Sequence, residues 1–233
     1  MTDAFKDFYN RQYAEVEGDE TRAVDHSFYR YLLPFAKTRN DIAAKILAGS
    51  RFEKALELGC GTGKLAALKI ADFGHYTGLD ISSYQLSKIS GILKNNPRAV
   101  FRESDLNKPF NFPEASFDLV LALSVIQYIF DPQSFLKEIH RALKPGGTFI
   151  IQAENIAFLP RRLQLLCGKL PTVNNALGWE GGILHRFTYA AMKGLLESQG
   201  FEVLEQACSG LAPSLRMWLP GLLAGDIIFK CRK

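Results

Sequence analysis

The sequence predicts an α/β protein with a doubly wound, mostly parallel sheet, and three observations support this fold class. From residue 54 onward, short apolar segments alternate with segments of helical period, as in repeated strand–helix units. One apolar segment, Phe117–Leu123, is almost uninterrupted, which is typical of a central parallel strand covered on both faces. A turn with three alternating glycines, Gly59–Gly63, follows the first apolar segment. Strand–helix units are joined by right-handed crossovers, so we expect helices on both faces of the sheet.

The chain divides, in this interpretation, into a helical cap over residues 1–50 and a main domain over residues 51–233. A length of 233 residues suits one α/β domain with a small addition. In the cap, apolar residues recur at three- and four-residue intervals over residues 5–16, 28–35 and 40–47. We expect these helices over one edge of the sheet or across a ligand cleft.

The main domain contains seven segments with the composition of strands. They are Lys54–Leu58, Tyr76–Asp80, Ala99–Arg102, Phe117–Leu123, Thr148–Gln152, Phe201–Gln206 and Asp226–Lys230. We expect the last strand to run antiparallel beside the sixth. The predicted helices between them are Lys64–Ala71, one from Ser82 or Ser83 to Asn95, one that begins at Asp131-Pro132, and one from Thr188 to Gln199. Together these elements predict a seven-stranded, Rossmann-like sheet.

Residues 154–187 interrupt this alternation and form an insertion after the fifth strand. Pro160–Leu166 has the pattern of a short helix, and a stretch rich in glycine and asparagine follows it. The segment is too long for an ordinary connection, and it follows the carboxyl end of a strand, where functional loops gather. We therefore predict a lid or a part of the ligand site. The apolar segment 215–223 has four open interpretations: an oligomer contact, a membrane-surface contact, a lip of the pocket, or a loop packed on its own domain.

Composition narrows the function classes. The net charge of +4 is mild and the basic residues are scattered, which gives little support for nucleic-acid binding. No apolar run approaches the roughly 20 residues that span a bilayer, so we expect no stable membrane insertion. The four cysteines have no metal-like spacing, which favours free thiols in a reducing compartment and predicts no metal site. Because the amino terminus also lacks a signal pattern, we expect a cytoplasmic location.

The glycine turn is the strongest indicator of a ligand site. Glycine permits a positive φ and lets a ligand approach the bare backbone, and the helix start behind the turn offers unpaired N–H groups. A dinucleotide fingerprint would read GxGxxG. Here the glycines are Gly59, Gly61 and Gly63, and Lys64 occupies the place of the fingerprint's third glycine. The spacing therefore argues against a nicotinamide-dependent dehydrogenase.

The segment Glu57-Leu58-Gly59-Cys60-Gly61-Thr62-Gly63 resembles the first motif of class I S-adenosylmethionine-dependent methyltransferases. The resemblance continues in order through Asp80, Asp105-Leu106, the fourth strand, Leu143–Gly147 and Gly200-Phe201. It implies S-adenosylmethionine as cofactor and S-adenosylhomocysteine as product. In this family the acid after strand 2 holds the ribose, and the pair after strand 3 contacts adenine. The implied cofactor residues are Tyr13, Glu57, Gly59, Cys60, Gly61, Gly63, Asp80, Ile81, Asp105, Leu106 and Leu123.

Single residues in these motifs keep alternative roles. Glu57 is expected either to hold the glycine turn or to touch the amino group of the cofactor. Asp80 could instead cap the helix that follows it, and Asp105 could be a simple turn acid. We expect a structural role for Asp118, which lies early in its strand.

The insertion carries a narrower resemblance. Asn155, Pro160–Leu166, Gly168–Pro171 and His185–Thr188 resemble a subgroup of type 11 methyltransferases that contains methyltransferase-like proteins linked to methionine biosynthesis. Some members of that subgroup assist a partner enzyme. This leaves open an alternative function, a non-catalytic S-adenosylmethionine-binding partner of a biosynthetic enzyme.

The methyl acceptor is expected beyond the carboxyl ends of the strands, and we predict a small molecule. His185 and Tyr128 are the predicted catalytic residues, with His185 as general base because imidazole titrates near neutral pH. Further acceptor-site candidates are Ser124, Gln127 and Asn155. Arginine pairs well with carboxylate or phosphate, so an acidic acceptor could bind Arg161, Arg162 or Arg186. The sequence leaves the oligomeric state open.

Overall fold

The computed structural model describes residues 6–11, 13–14, 36–171 and 183–233. Its seven strands form one sheet in the order β3-β2-β1-β4-β5-β7-β6. The strands are β1 (Phe52–Leu58), β2 (Phe73–Asp80), β3 (Ala99–Glu103), β4 (Phe117–Leu123), β5 (Leu143–Glu154), β6 (Glu202–Ala207) and β7 (Asp226–Arg232). β1 pairs in parallel with β2 and β4, whereas β7 runs antiparallel to both β5 and β6. The predicted fold class is confirmed.

Five of the seven observed strands are longer than the predicted ones, most clearly β5, which begins at Leu143 and ends at Glu154. The sequence placed a turn before Thr148. The strand absorbs that turn as a bulge, because Phe117 pairs with Leu143 and Leu119 then pairs with Thr148. At the far end, β5 carries Glu154 two residues beyond its predicted limit, to the edge where ligands bind in such sheets.

The helices cover both faces of the sheet. They are α1 (Arg39–Ile46), α2 (Lys64–Lys69), α3 (Ser83–Ser87), α4 (Gly91–Lys94), α5 (Pro132–Ala142), α6 (Leu159–Leu166), α7 (Tyr189–Ser198), α8 (Pro213–Arg216) and α9 (Pro220–Leu223). Ser82, Asp131 and Thr188 cap α3, α5 and α7 with side-chain oxygens, as their sequence positions predict.

One helix prediction was wrong. The stretch from Ser82 to Asn95 forms two short helices, because Ser90 has extended backbone (ψ 149°) between them. The spacing of Leu86, Ile89, Ile92 and Leu93 predicts one apolar stripe along such a helix. In the structure Ile92 is 80% exposed, whereas Ile89 and Leu93 are buried.

The core consists of two apolar clusters, one on each face of the sheet. One contains the buried side of α5 and α7, and the other contains Ile42, Ala43 and Ile46 of α1. Part of the predicted cap therefore shares the core of the main domain.

Asp118 accepts hydrogen bonds from the Lys54 N–H (2.8 Å) and the Lys144 ammonium (2.7 Å), which agrees with a structural role.

The remaining cap predictions are described only in part. Residues 6–11 and 13–14 are helical, and residues 28–35 lie outside the described residues, as do residues 172–182 of the insertion. Within the described ranges, no helix is long and apolar enough to cross a membrane. The boundary at residue 50 stays a prediction.

Candidate cofactor and acceptor site

A cavity of about 790 Å³ lies at the carboxyl edge of β1, β2, β4 and β5. The predicted residues that line it are Tyr13, Glu57, Gly59, Cys60, Gly61, Asp80, Ile81, Asp105, Leu106, Leu123 and Tyr128. Gly63 and His185, which were also predicted, are outside this lining. The cavity lies where the strand order reverses between β1 and β4, which is the usual ligand crevice of an open α/β sheet.

The glycine turn has the left-handed backbone that its composition predicts, with φ of +71° at Gly59, +53° at Gly61 and +73° at Gly63. A Cβ on Gly59 would lie 2.2 Å from Cγ2 of Val125, so the segment after β4 packs directly against the turn. A Cβ on Gly61 would meet only Gln85 Oε1, at 3.9 Å. The backbone is therefore tightly packed at Gly59 and open to a ligand at Gly61.

Gly63 has a different position. It is the residue before α2, and a Cβ there would lie 2.9 Å from Leu93. Gly63 therefore points toward Leu93 of α4 and away from the cavity. Its role in the structure is to shape the turn.

Asp80 connects β2 to this turn. Its carboxylate accepts hydrogen bonds from the Gly61 N–H and the Ser82 N–H, each at 2.8 Å. Burial raises the pKa of Asp80, while hydrogen bonds from Ser82, Gly61 and Ile81 act in the opposite direction. Ser82, not Asp80, accepts the capping bond of α3. The alternative in which Asp80 merely caps the helix is thus replaced by a role in holding the turn.

Glu57 lies on the floor of the cavity with 4% exposure. Its carboxylate accepts a hydrogen bond from the Tyr76 hydroxyl, and no bond to the glycine turn is present among the described residues. Burial raises the pKa of Glu57 to about 7, while the Tyr76 hydrogen bond lowers it and the charge of Asp80 raises it further. A bond from Glu57 to the turn, one of its two predicted roles, is thus not among the described contacts, and the Glu57 side chain lines the cavity.

Asp105 and Leu106 lie in the loop after β3. Asp105 accepts hydrogen bonds from the backbone N–H (3.0 Å) and the side chain (3.2 Å) of Asn107. Asn107 in turn accepts a bond from the Phe130 N–H at 2.8 Å. The loop is fixed beside the segment after β4 and presents both residues to the cavity.

Arg39 was missed by the sequence reasoning. It is the first residue of α1 and lines the cavity, and its charge lowers the pKa of Tyr13, Glu57 and Glu154. The only sequence signal is the capping pattern Thr38-x-x-Asp41, which marks where the helix begins. That pattern predicts the helix start but not the direction of the arginine side chain.

Three tyrosines form an aromatic wall. The Tyr9 and Tyr13 rings stack with centroids 6.4 Å apart, and Tyr9 meets Tyr128 edge-on at 5.9 Å. Asn10 accepts a bond of 2.8 Å from the Ser82 hydroxyl, which ties these helical residues to the β2–α3 connection. The expectation that cap residues lie across the cleft is met by Tyr9 and Tyr13.

The acceptor-side residues divide into two groups. Ser124, Gln127 and Tyr128 line the main cavity, and Glu154 joins them. His185 instead lines a small adjoining recess, with Nε2 3.3 Å from the Phe130 carbonyl oxygen. Gln127 and Glu154 lie between the two spaces because both line each of them.

Asn155 does not face the cavity, contrary to its selection as an acceptor-site residue. It is fully buried, and its Nδ2 donates to the carbonyls of Ala224 (2.8 Å), Pro220 (3.2 Å) and Gly221 (3.3 Å). The reason is the antiparallel return of β7, which brings the preceding segment against the end of β5. Asn155 fastens that segment to the sheet.

Residues 56–151 match the family model described as a methyltransferase domain. A "Probable S-adenosylmethionine-dependent methyltransferase" of Mycolicibacterium smegmatis is 37% identical over 109 residues, 46% of this chain and 40% of that protein. A malonyl-acyl-carrier-protein O-methyltransferase of Chlorobium luteolum is 32% identical over 113 residues, 47% of this chain and 43% of that protein. A solved S-adenosylmethionine-dependent methyltransferase from Mesorhizobium loti matches the fold with a TM-score of 0.64 and 18% identity, covering 84% of this chain and 98% of that chain. This chain spans less than half the length of the two sequence relatives.

The fold and these matches support a class I S-adenosylmethionine-dependent methyltransferase, with the methyltransferase-domain match covering residues 56–151. The family uses S-adenosylmethionine as methyl donor and forms S-adenosylhomocysteine. The resemblance drawn from the sequence is confirmed at this level, and the narrower subgroup linked to methionine biosynthesis stays a prediction. Among the described residues, no group of three or more histidine, cysteine, aspartate or glutamate side chains could hold a metal ion.

Proposed function

We propose that the chain transfers a methyl group from S-adenosylmethionine to a small-molecule acceptor. The observation that carries the proposal is the glycine turn held by Asp80 at the floor of the cavity. Gly61 is open toward the ligand space and its N–H is fixed by the Asp80 carboxylate. A volume of about 790 Å³ is in the upper range of small-molecule sites.

The lining residues suit the parts of this cofactor. The Asp80 carboxylate, next to Ile81, suits the ribose hydroxyls because it can accept two hydrogen bonds. Asp105 suits the exocyclic amine of adenine and Leu106 its ring. Gly59, Cys60 and Leu123 surround the methionyl portion. Gly63 contributes by shaping the turn.

Charge supports the orientation of the methionyl end. Glu57 offers a carboxylate to an ammonium group, and Arg39 offers a guanidinium to a carboxylate. Tyr13 closes this end from the cap side. We propose that Arg39 binds the cofactor carboxylate opposite Glu57.

The bound cofactor supplies a methyl group already activated by a sulfonium. The chain's own residues then have to orient the acceptor in line with that group and exclude water. Tyr9, Tyr13 and Tyr128 form a wall that keeps water from the acceptor side. Tyr128 lies in position to contact the acceptor, whereas His185 can act as base only on an acceptor that extends past Gln127 and Glu154 into the recess.

Titration calorimetry of the full chain with S-adenosylhomocysteine, S-adenosylmethionine and NAD tests the cofactor. We expect binding of the first two, and an Asp80→Ala change to weaken S-adenosylhomocysteine by about 1–3 kcal/mol, the scale for hydrogen bonds to a charged group. Asp118→Ala is the matched control, since it removes a hydrogen-bonded carboxylate elsewhere in the sheet. NAD binding without S-adenosylmethionine binding would contradict the proposal.

An acceptor screen that records S-adenosylhomocysteine release tests the catalytic part. We expect turnover with at least one small molecule. Tight cofactor binding without turnover across a broad panel would favour the non-catalytic partner protein instead.

A further inference from the structure

The acceptor end of the cavity contains two groups that can accept hydrogen bonds and lack enough donors. Gln127 is 4% exposed, and its Oε1 has no partner in the described part of the chain. Burial raises the pKa of Tyr128 and the adjacent Gln127 side chain lowers it, which fits an amide N–H directed at the Tyr128 hydroxyl. A buried carbonyl left without a partner costs about 1–3 kcal/mol, and such groups are rare in native proteins.

Glu154 is the second group. It ends β5, is half-buried, and lines both the cavity and the recess beside Gln127. Among the described residues, Arg161 is the donor to its carboxylate, through Oε2. Oε1 is left for another donor, because an ionised carboxylate accepts at both oxygens. Burial raises the pKa of Glu154, and Arg161 opposes that rise.

The arginines of the insertion are already engaged. Arg161 also donates to the carbonyls of Asn155 (2.7 Å) and Gly225 (2.8 Å), so its guanidinium is held behind Glu154. Arg162 donates to the Ala157 carbonyl, and Arg186 to the Pro171 carbonyl at 3.1 Å. The sequence had allowed these three cations to bind an acidic acceptor. In the structure they bind backbone and Glu154.

We propose that the methyl acceptor is an uncharged or cationic compound that donates an O–H or N–H hydrogen bond to Glu154 and Gln127, and that carboxylates and phosphates are rejected there. The inference rests on the proposed function for identifying the ligand as the acceptor. An anionic acceptor would face the Glu154 carboxylate, and like charges repel. The three described arginines of the insertion are engaged, and Lys169 does not line the cavity. Arg39, which lines the cavity and lowers the pKa of Glu154, is assigned to the cofactor carboxylate by the proposed function. The tyrosine wall favours a flat ring.

A matched set of one-ring probes tests this proposal: benzyl alcohol, benzylamine, benzoate and toluene. Binding is measured by ligand-observed NMR on the full chain, with and without S-adenosylhomocysteine. We expect benzyl alcohol and benzylamine to bind at least tenfold tighter than benzoate and toluene. Equal or tighter binding of benzoate would overturn the proposal.

Two variants locate the effect. Glu154→Gln keeps the side chain's size and an acceptor for Arg161 but removes the charge, and we expect it to reduce the preference for benzylamine over benzoate about tenfold. Gln127→Met leaves the Glu154–Arg161 pair intact, and we expect it to weaken benzyl alcohol severalfold without changing toluene. The control is Glu202→Gln. It changes a carboxylate on β6 that is paired with Arg232 on β7, away from the cavity.

An unchanged ligand order in both variants would also overturn the proposal. The titration of S-adenosylhomocysteine in the same samples separates the proposed methyltransferase function from the proposed role of Glu154. Lost cofactor binding with the expected ligand order refutes the proposed function alone, and normal cofactor binding with the wrong order refutes the Glu154 assignment alone.

Discussion

The two halves of the cavity are built in different ways. The centre of the cofactor half is formed by neighbouring chain segments, β1, the glycine turn and the end of β2, and its geometry depends on backbone conformation and backbone N–H groups. Arg39 and Tyr13 add side chains to it from the amino-terminal part of the chain. The acceptor half is formed by side chains from distant segments, among them Tyr9, Gln127 and Glu154. The comparison teaches that one half is fixed by local chain geometry and the other by long-range packing. Each prediction below tests that division.

The largest effect is expected at Gly59. In Gly59→Ala, the left-handed backbone and the overlap with Val125 should together cost about 2–5 kcal/mol of unfolding free energy, and cofactor binding should be lost. Urea denaturation and titration calorimetry measure both. Gly49→Ala is the control: it has φ +77° but nothing within 4 Å, so only the backbone strain remains.

A second change sharpens this test. Adding Val125→Ala to Gly59→Ala should recover part of the stability, because it removes the atoms that the new Cβ meets. No recovery would mean that backbone strain, and not the packing of Val125 on the turn, sets the cost.

Glu57 gives the next effect, and it depends on pH. Its pKa is raised from 4.5 to about 7 in the folded chain, so the folded state holds the proton more tightly than the unfolded state. The contribution of protonated Glu57 to the free energy of unfolding is therefore complete below pH 4.5, and it is lost as the pH rises to about 7. Relative to Glu57→Gln, the wild-type chain should lose up to about 3 kcal/mol across that window.

Urea denaturation at several pH values measures the difference between the two chains. Tyr76→Phe is informative because it removes the hydrogen bond that lowers the Glu57 pKa, and it should move the window upward. A cationic amino group bound at Glu57 should favour the ionised form, so affinity for S-adenosylhomocysteine should rise from pH 6 to pH 8 in the wild type and stay flat in Glu57→Gln. A flat profile in both would place the amino group elsewhere.

The same division explains what the sequence could predict. Alternating apolar segments and the glycine spacing are local signals, so the fold class, the order of the first strands and the position of Asp80 followed from them. The direction of a side chain at a strand end is not a local property. Asn155 and Glu154 are adjacent, yet the return of β7 makes one a buried anchor and leaves the other facing the cavity.

Arg39 and the helix break at Ser90 show the same limit. The capping pattern around Thr38 predicts where α1 begins, but the position of Arg39 at the cavity depends on the packing of α1 against the sheet. The apolar spacing from Leu86 to Leu93 suggested one helix, and the extended Ser90 interrupts it. In both cases periodicity gives an element, and tertiary contacts determine which way it faces.

Asn155→Ala tests the long-range half. The change removes the Nδ2 donor from the carbonyls of Pro220, Gly221 and Ala224, which should cost about 1–3 kcal/mol of stability. Pro220 and Gly221 each keep a second donor, the Ala224 N–H and the Arg162 guanidinium, so the Ala224 carbonyl is the group most affected. Affinity for S-adenosylhomocysteine should stay within about twofold, because Asn155 does not line the cavity. Asn155→Asp, of the same size, should be worse at neutral pH, since a carboxylate would face three carbonyl oxygens. A cofactor defect equal to that of Asp80→Ala would show that the two halves are coupled.

The smallest effect is expected for His185→Asn. The ring has one polar contact, of 3.3 Å to the Phe130 carbonyl, and a loose ring contact with Phe187 at 6.3 Å between centroids. It lies in the recess that Gln127 and Glu154 also line. Unfolding free energy should therefore change by less than about 0.5 kcal/mol, as for surface substitutions away from special features. S-adenosylhomocysteine affinity should be unchanged within the error of calorimetry. Turnover of an acceptor found in the screen decides whether His185 is the general base, because a general base raises the rate roughly 10²–10⁴-fold. A hundredfold loss in His185→Asn, without a matching loss in Glu154→Gln, would make the imidazole the base and extend the acceptor site into the recess.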